Sequence, residues 1–300
     1  MSVLCSGAIV FALQLHAQSS GPVHGPAHGA LVISGGAETT TDIYKRFIEL
    51  AGGPGSLILV VPTSGNADKY DDTCDCLRWL KLAGATNLKL LHTTDRAVAN
   101  SDAFVEPIRN ARGIWFAEGN SWRYQDAYLD TKVQTEVMAL LDRGGVVGGG
   151  SAGARIQSDY LPLRSPEPST RAIPKSRWRN GFALVRNVII DPHVLARNRQ
   201  FDLIGMVKAH PNMLGIGIDE DAAIVVRGDR FDVIGNSYAI IYDNQRQIAP
   251  EGGETLRTTG GQFYMLRPGD SYDMQSRRAS RPPSGETPTN RLIERAWQAP

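Results

Sequence analysis

The sequence has no marked excess of either charge. Its 300 residues include 32 Lys and Arg against 31 Asp and Glu, which leaves a net charge of +1. Because proteins that bind a nucleic acid backbone carry clustered positive charge, this balance argues against a nucleic-acid partner. The hydrophobic share of 42% is ordinary for a folded protein and excludes a wholly disordered chain.

No Asp, Glu, Lys or Arg occurs in the first 37 positions, and Glu38 is the first charged residue of the chain. Residues 3–15 are mostly apolar, but 13 residues extend only about 20 Å as a helix, too short to span a membrane. Small residues follow near Ala17 and Gln18. We therefore predict a signal peptide at 1–18, a linker at 19–29 and a secreted or periplasmic protein. Because no basic segment precedes the apolar run, a buried apolar segment is the alternative.

Cysteine is scarce, and only Cys74 and Cys76 remain once Cys5 leaves with the signal peptide. On a helix their C-x-C spacing points them to different sides, and it matches no zinc signature. We expect two ordinary half-buried thiols, with a disulfide between them as the alternative. No metal site and no cofactor are expected.

Short apolar runs alternate with helix-like segments as far as residue 150. The runs are rich in β-branched residues and end in Gly, Pro or Ser, which is typical of buried parallel strands. The predicted strands are 30–34, 56–61, 88–91, 113–116 and 145–147, and the predicted helices are 41–50, 72–83 and 122–143. This alternation predicts an α/β fold with a doubly wound, mostly parallel sheet flanked by helices. Its ligand should lie beyond the carboxyl ends of the strands.

Past residue 181 strand follows strand. The predicted strands are 188–191, 222–227, 230–234, 239–242 and 263–266, with a hairpin around Gly228-Asp229. We therefore predict a single domain at 30–274 with an added C-terminal β-hairpin region. Arg, Pro and Ser dominate after that, which predicts a solvated tail at 275–300 with a short helix at 291–297.

One turn concentrates the chemistry. Residues 146–154 combine an apolar strand, small residues and a helix start, and Gly149-x-Ser151-x-Gly153 matches the nucleophile elbow. Such a turn lifts the Ser151 hydroxyl above the strand end, and the Ala152 N–H at the helix start is a natural oxyanion donor. A tight βα turn or an anion-binding loop is the alternative.

A nucleophilic serine needs a base and an orienting acid. His193 follows a predicted strand directly, and Asp191, Asp219 and Glu220 are candidate acids. The residues alone leave open that His193 is structural and that the acids form a polar strand end.

Three motifs in order carry a family resemblance: Gly-Ser-Ala-Gly-Ala at 150–154, Val-Ile-Ile-Asp-x-His at 188–193 and Gly-Ile-Gly-Ile-Asp-Glu-Asp at 215–221. From about residue 30 to 270 the chain resembles the cyanophycinase and dipeptidase E-like serine peptidases, relatives of class I glutamine amidotransferase domains. The resemblance implies a flavodoxin-like fold in which Ser151 is the nucleophile, His193 the base and Glu220 the acid. It implies no metal or nucleotide. Along the chain these residues occur in the order Ser, His, acid, whereas α/β-hydrolases have the order Ser, acid, His, which counts against a lipase or esterase.

The resemblance also implies a substrate pocket. Asp191, Arg197 and Arg199 take positions that line it, and Asn120 and Ser121 take further substrate-binding positions. The Gly119 N–H would complete the oxyanion hole with Ala152. The implied activity is hydrolysis of aspartyl or β-aspartyl peptide bonds through an acyl-enzyme, with release of β-Asp-Arg dipeptides from cyanophycin within its range.

Two features limit the carry-over. Glu118 stands where the family has glycine, which leaves a non-catalytic secreted binding module, or an amidase on a non-peptide amide, as alternative functions. The stretch 162–180 is basic, with Arg164, Arg171, Lys175, Arg177 and Arg179, and we expect a loop over the site that favours carboxylate-bearing substrates. The expected partner is a peptide carrying Asp or β-Asp, with no membrane span, and the sequence leaves room for a homodimer.

Overall fold

A computed structural model describes residues 23–162, 171–244 and 263–281. The predicted signal peptide, residues 19–22 of the predicted linker, Arg164 and the predicted helix at 291–297 lie outside these segments. No helix in the described segments is long and apolar enough to cross a membrane.

Fourteen strands and eight α-helices make up the described chain. The strands are β1 Ala30–Ser34, β2 Ile58–Val61, β3 Leu88–Leu90, β4 Gly113–Phe116, β5 Val146–Gly150, β6 Ser158–Tyr160, β7 Val185–Pro192, β8 Leu214–Ile218, β9 Ala222–Arg227, β10 Arg230–Gly235, β11 Ala239–Tyr242, β12 Phe263–Leu266, β13 Ser271–Asp273 and β14 Arg278–Ser280. The helices are α1 Asp42–Leu50, α2 Arg78–Leu82, α3 Arg96–Ala99, α4 Asp102–Asn110, α5 Ser121–Tyr128, α6 Lys132–Asp142, α7 Ala152–Gln157 and α8 Asp202–Ala209.

The larger sheet has nine strands in the order β14-β13-β10-β9-β1-β5-β4-β2-β3. The five strands from β1 to β3 run parallel, and β9 joins β1 antiparallel, with β10 beyond it as the predicted hairpin. Both faces are covered: Leu31 and Ile33 point into one core, and Ala30 and Val32 into the other. The predicted α/β fold is confirmed, and burial on both faces explains why its strands read as unbroken apolar runs.

A second sheet of five strands, in the order β12-β11-β8-β7-β6, was not predicted. Strands β6, β7 and β8 are parallel, and α8 connects β7 to β8. Because Pro192 is paired with Ile218, the residues that follow β7 and β8 emerge side by side. This pairing brings the segments around His193 and Glu220 together.

Two predicted helices are interrupted. The predicted helix at 122–143 is α5 and α6, separated at Asp130, whose φ of 59° is incompatible with a continuous right-handed helix. In the predicted helix at 72–83, a 3₁₀ turn at Asp75–Leu77 leads into α2.

The expectation of two free thiols was wrong. Cys74 precedes the 3₁₀ turn with an extended ψ of 125°, so it does not point away from Cys76 as it would on a helix. The two Cα atoms lie 5.1 Å apart, within the range of a disulfide, and the sulfur atoms are bonded.

The predicted solvated tail also needs correction. Strand β14 lies beyond residue 275 and pairs with β13 at the edge of the nine-stranded sheet. Arg281 then forms an ion pair with Asp270, whose carboxylate is almost fully buried. A boundary at 274 therefore falls inside a β-hairpin.

Candidate active site

Ser151 sits at the junction of β5 and α7, in the strained turn that the motif predicts. Its φ is 53°, a value that side-chain-bearing residues seldom adopt, and its N–H donates to the Ser34 carbonyl at 3.2 Å. A Cβ atom on Gly153 would lie 2.0 Å from the Phe116 carbonyl oxygen, so only glycine lets α7 approach β4 this closely. The glycine spacing is thus explained by contacts that lift Ser151 above the strand end.

Ser151, His193 and Glu220 form a continuous hydrogen-bonded chain. The His193 Nε2 lies 2.8 Å from the Ser151 Oγ, and the His193 Nδ1 lies 2.7 Å from the Glu220 Oε1. Because a carboxylate can only accept, Nδ1 carries the proton and Nε2 is left to accept from the serine. The structure therefore brings the three predicted triad residues together in the order that proton transfer requires.

The surroundings of His193 favour its neutral form. The imidazole is almost fully buried, and burial lowers its pKa. The hydrogen bond that His193 donates to Glu220, and the negative charge of Glu220, partly oppose this lowering, while the positive charges of Arg197 and Arg199 add to it. A neutral imidazole at neutral pH is the form that can take a proton from Ser151.

Asp219 has a different task from Glu220. Its Oδ1 accepts the N–H groups of Leu195 and Ala196 at 3.0 and 2.9 Å, and its Oδ2 accepts the Ser237 hydroxyl at 2.8 Å. Of the three candidate acids, only Glu220 contacts His193 in the described structure, whereas Asp219 holds the backbone immediately after His193.

Asp191, one of the predicted substrate-binding residues, is buried beside two arginine side chains. It is fully buried, and its Oδ1 accepts from the Arg155 Nη2 at 3.0 Å, with the Arg199 Nη1 at 3.9 Å. The sequence analysis missed Arg155, which lies one turn beyond Ser151 on α7. Its charge in a helix that is otherwise mostly apolar was the available signal. Arg197, in contrast, is exposed, and Arg199 is partly exposed.

The two predicted oxyanion donors, the N–H groups of Ala152 and Gly119, lie where α7 begins and where β4 has ended. Ala152 begins α7 and is buried, so its N–H belongs to the free helix N-terminus. Gly119 follows β4 with a φ of 142°, and a Cβ atom there would lie 2.5 Å from the Ser64 carbonyl oxygen. Glycine is required at this position by both conformation and space.

Ser64, which the sequence analysis also missed, holds the loop that carries Gly119. Its hydroxyl contacts the carbonyl groups of Ala117 and Glu118 at 3.0 and 2.7 Å, and its carbonyl accepts the Asn120 N–H at 2.9 Å. Asn120 is exposed just before α5, and Ser121 is half-buried as its first residue. The available signal was the Pro-Thr-Ser-Gly turn that follows β2.

Two carboxyl groups, those of Glu118 and Glu38, lie near the end of β1. The Glu118 Oε1 accepts the Ala37 N–H at 3.0 Å, and the buried Glu38 accepts from Ser34 and Tyr44. Glu118 is an exposed residue, but partial desolvation of its carboxyl at the site raises its pKa. The negative charges of Glu38 and Glu220 raise the pKa further, and the Ala37 hydrogen bond and the positive charge of Arg197 oppose them. Glu118 thus stands at the active site without occupying the His193–Ser151 contact.

In the described part of the basic stretch, two of the five cations have acidic partners outside the triad. Arg171 is buried and binds Asp126 and Gln125, and Arg177 binds Asp130. These two cations are therefore neutralised by α5 and the turn after it. In the described segments, no group of three or more His, Cys, Asp or Glu side chains is arranged to hold a metal ion.

The chain is similar to a family of peptidases and to several cyanophycinases. The model of peptidase family S51 matches residues 30–234. A cyanophycinase of Geminocystis herdmanii is 28% identical over 266 residues, covering 82% of this chain and 94% of the relative. A cyanophycinase of a Nostoc strain is 26% identical over 266 residues, covering 83% and 86%.

Two solved structures share the fold. A peptidase from an acI-B1 Actinobacterium has a TM-score of 0.56 and 23% identity, covering 82% of this chain and 97% of that one. A peptidase E protein of Listeria monocytogenes has a TM-score of 0.53 and 16% identity, covering 70% and 99%.

Proposed function

The chain belongs to peptidase family S51 and is a serine-type peptidase, and from this premise we propose that it hydrolyses aspartyl or β-aspartyl peptide bonds through an acyl-enzyme on Ser151. The observation that carries the proposal is the pair of contacts from His193 to Ser151 and to Glu220, at 2.8 and 2.7 Å. Nucleophile, base and orienting acid are within hydrogen-bond distance without any rearrangement.

The reaction follows from these positions. The Ser151 oxygen attacks the carbonyl carbon while its proton passes to the His193 Nε2, and the Ala152 and Gly119 N–H groups bind the developing oxyanion. His193 then gives that proton to the departing amine, and the ester to Ser151 remains. A water molecule loses a proton to His193 and attacks the ester, which frees the carboxylic acid product and restores the serine.

Positive charge near the base supports an acidic substrate. Arg197 and Arg199 both lie close enough to influence His193, and a guanidinium binds a carboxylate with paired hydrogen bonds. We assign the aspartyl carboxylate to these two residues, and Asn120 and Ser121 to the oxyanion-loop side of the substrate. Asp191, buried against Arg155 and Arg199, orients Arg199 instead of contacting the substrate. Because two curated relatives are cyanophycinases, release of β-Asp-Arg dipeptides from cyanophycin belongs to the proposal.

A fluorophosphonate probe and Ser151→Ala test the proposal together. The folded protein should react with the probe at Ser151, and Ser151→Ala should lose both labelling and hydrolysis by about four to six orders of magnitude. A half-buried serine far along the chain, in Ser56→Ala, serves as the matched control and should keep both. Assays with cyanophycin, α-aspartyl dipeptides and isoaspartyl peptides then identify the bond that is cut.

Three results would count against this function. A folded protein that is inert to the probe would favour the non-catalytic binding module. A protein that is labelled but hydrolyses only non-peptide amides would favour the amidase. Full peptide hydrolysis by Ser151→Ala would remove Ser151 from the mechanism.

We also propose that the protein acts outside the cytoplasm. The disulfide between Cys74 and Cys76 supports this because such bonds persist in oxidising compartments. Cell fractionation, with an intact mass that shows cleavage near Gln18, tests it. A cytoplasmic, uncleaved protein would overturn it.

A further inference from the structure

Building on the proposed function, we propose that Glu118 binds the free α-ammonium group of the residue that supplies the scissile carbonyl. The enzyme would then select a substrate whose aspartyl residue is the N-terminal one and disfavour the same residue when its amine is acylated. Glu118 is thus a specificity-determining residue of the active site.

The position of the Glu118 carboxyl places it next to the reacting atoms. A Cβ atom on Gly36 would lie 2.7 Å from the Glu118 Oε1 and 2.9 Å from the His193 Cε1, so both groups border the same point. The Glu118 Oε1 would also lie 3.1 Å from a Cβ atom on Gly150, the residue before the nucleophile. Glu118 therefore faces the catalytic imidazole and the elbow from the side of β1.

The carboxyl is held in place but has no ion-pair partner in the described segments. It accepts a hydrogen bond from the Ala37 N–H at 3.0 Å. Among the described residues no Lys, Arg or His forms an ion pair with Glu118. Glu38 and Glu220 add negative charge around it, and the positive charge of Arg197 has the smaller effect. A cation supplied by the substrate would offset this negative charge.

The two sides of the site have opposite charges. Glu118 and Glu38 lie by β1, whereas Arg197 and Arg199 follow the base His193. An N-terminal aspartyl residue carries an ammonium and a carboxylate on either side of one carbon chain. It matches this arrangement, whereas an acylated aspartyl residue keeps only the carboxylate.

Distance along the substrate favours an ammonium over a guanidinium. The α-nitrogen is separated from the scissile carbonyl carbon by one carbon in an α-aspartyl bond and by two in a β-aspartyl bond. The guanidinium of an arginine in β-Asp-Arg lies many bonds further away. Because Glu118 borders the reacting centre, only the α-ammonium stays within its reach during attack by Ser151.

The test uses matched substrates. The wild-type protein and Glu118→Gln are assayed on an aspartyl dipeptide and on its N-acetyl derivative, in both α- and β-linked forms. The wild type should prefer the free amine by at least about tenfold in kcat/KM, since a charge-assisted hydrogen bond is worth about ten- to a hundredfold. In Glu118→Gln that preference should fall toward unity, while Glu118→Asp should restore part of it.

Controls separate this inference from the function on which it rests. Glu106→Gln, an exposed glutamate of α4, should keep the wild-type preference. A dipeptide with arginine and one with alanine as the leaving residue should lose activity equally in Glu118→Gln, and a loss confined to the arginine dipeptide would assign Glu118 to the guanidinium instead. Equal cleavage of free and acetylated substrates by the wild type would overturn the inference and leave the peptidase intact. No cleavage of either, with an inert Ser151, would overturn the proposed function itself.

Discussion

The proposed nucleophile and its two proposed partners come from different sheets. Ser151 follows β5 of the nine-stranded sheet, and everything that shapes its turn lies within a few residues or on neighbouring β1 and β4. His193 and Glu220 follow β7 and β8 of the five-stranded sheet, and 26 residues separate them in sequence. A nucleophile elbow is therefore readable as a local motif, while the base and acid depend on strand pairing across α8.

Among the substitutions that test this comparison, Glu220→Gln, in the segment after β8, should lower kcat the most. The amide can donate to the His193 Nδ1, which would favour the tautomer with its proton on Nε2, so that the ring could no longer accept from Ser151. We expect kcat to fall about 10³-fold, since loss of the orienting acid costs up to about 10⁴-fold in serine proteases. The rate of fluorophosphonate labelling should fall with it. Glu49→Gln, a change at an exposed residue of α1, is the control. A wild-type kcat in Glu220→Gln would show that Glu220 does not orient His193.

This contrast also explains what the sequence could reveal. Strands β1, β4, β9, β11 and β12 were predicted to the residue, because buried strands read as continuous apolar runs bounded by turn residues. Ser151 was identified for the same local reason. The second sheet was missed, because no pattern within β7 or β8 states which strand it pairs with.

Long-range contacts supply what the sequence alone does not show. The resemblance implies a pocket position for Asp191, and in the structure Asp191 is fully buried and accepts a hydrogen bond from Arg155, which is 36 positions away. Likewise Glu118 reads as an obstruction, yet its carboxyl contacts Ala37, a residue 81 positions away. Such contacts exist only once the strand order of the sheet is known.

Asp219→Ala tests whether the backbone after His193 must be fixed for catalysis, because Asp219 binds that backbone and does not contact the imidazole. The change leaves the part-buried Leu195 and Ala196 N–H groups without their acceptor. An unsatisfied donor costs about 1–3 kcal/mol when it is fully buried, and access of water to these two groups reduces that cost. We expect kcat to fall about ten- to a hundredfold with a smaller change in KM, because the loop after His193 would no longer be fixed. Asp219→Asn keeps an Oδ1 acceptor and should recover most of the rate. A lower melting temperature with unchanged kcat would make Asp219 a purely structural residue.

Arg197→Gln should produce the smallest effect, in the pH dependence of the base. The positive charge of Arg197 lowers the pKa of His193, after the larger lowering by burial. Since Ser151 reacts only while His193 is neutral, the rate of fluorophosphonate labelling should decline as pH falls through that pKa. Removing the charge raises the pKa, so the decline should begin at higher pH, and the shift should be small because Arg197 is exposed. The probe carries no carboxylate, which keeps substrate binding by Arg197 out of the measurement, and Lys208→Gln, an exposed residue of α8, is the control. A shift toward lower pH, or none, would show that Arg197 does not act on His193, and the charge contrast between the two sides of the site would then rest on Arg199.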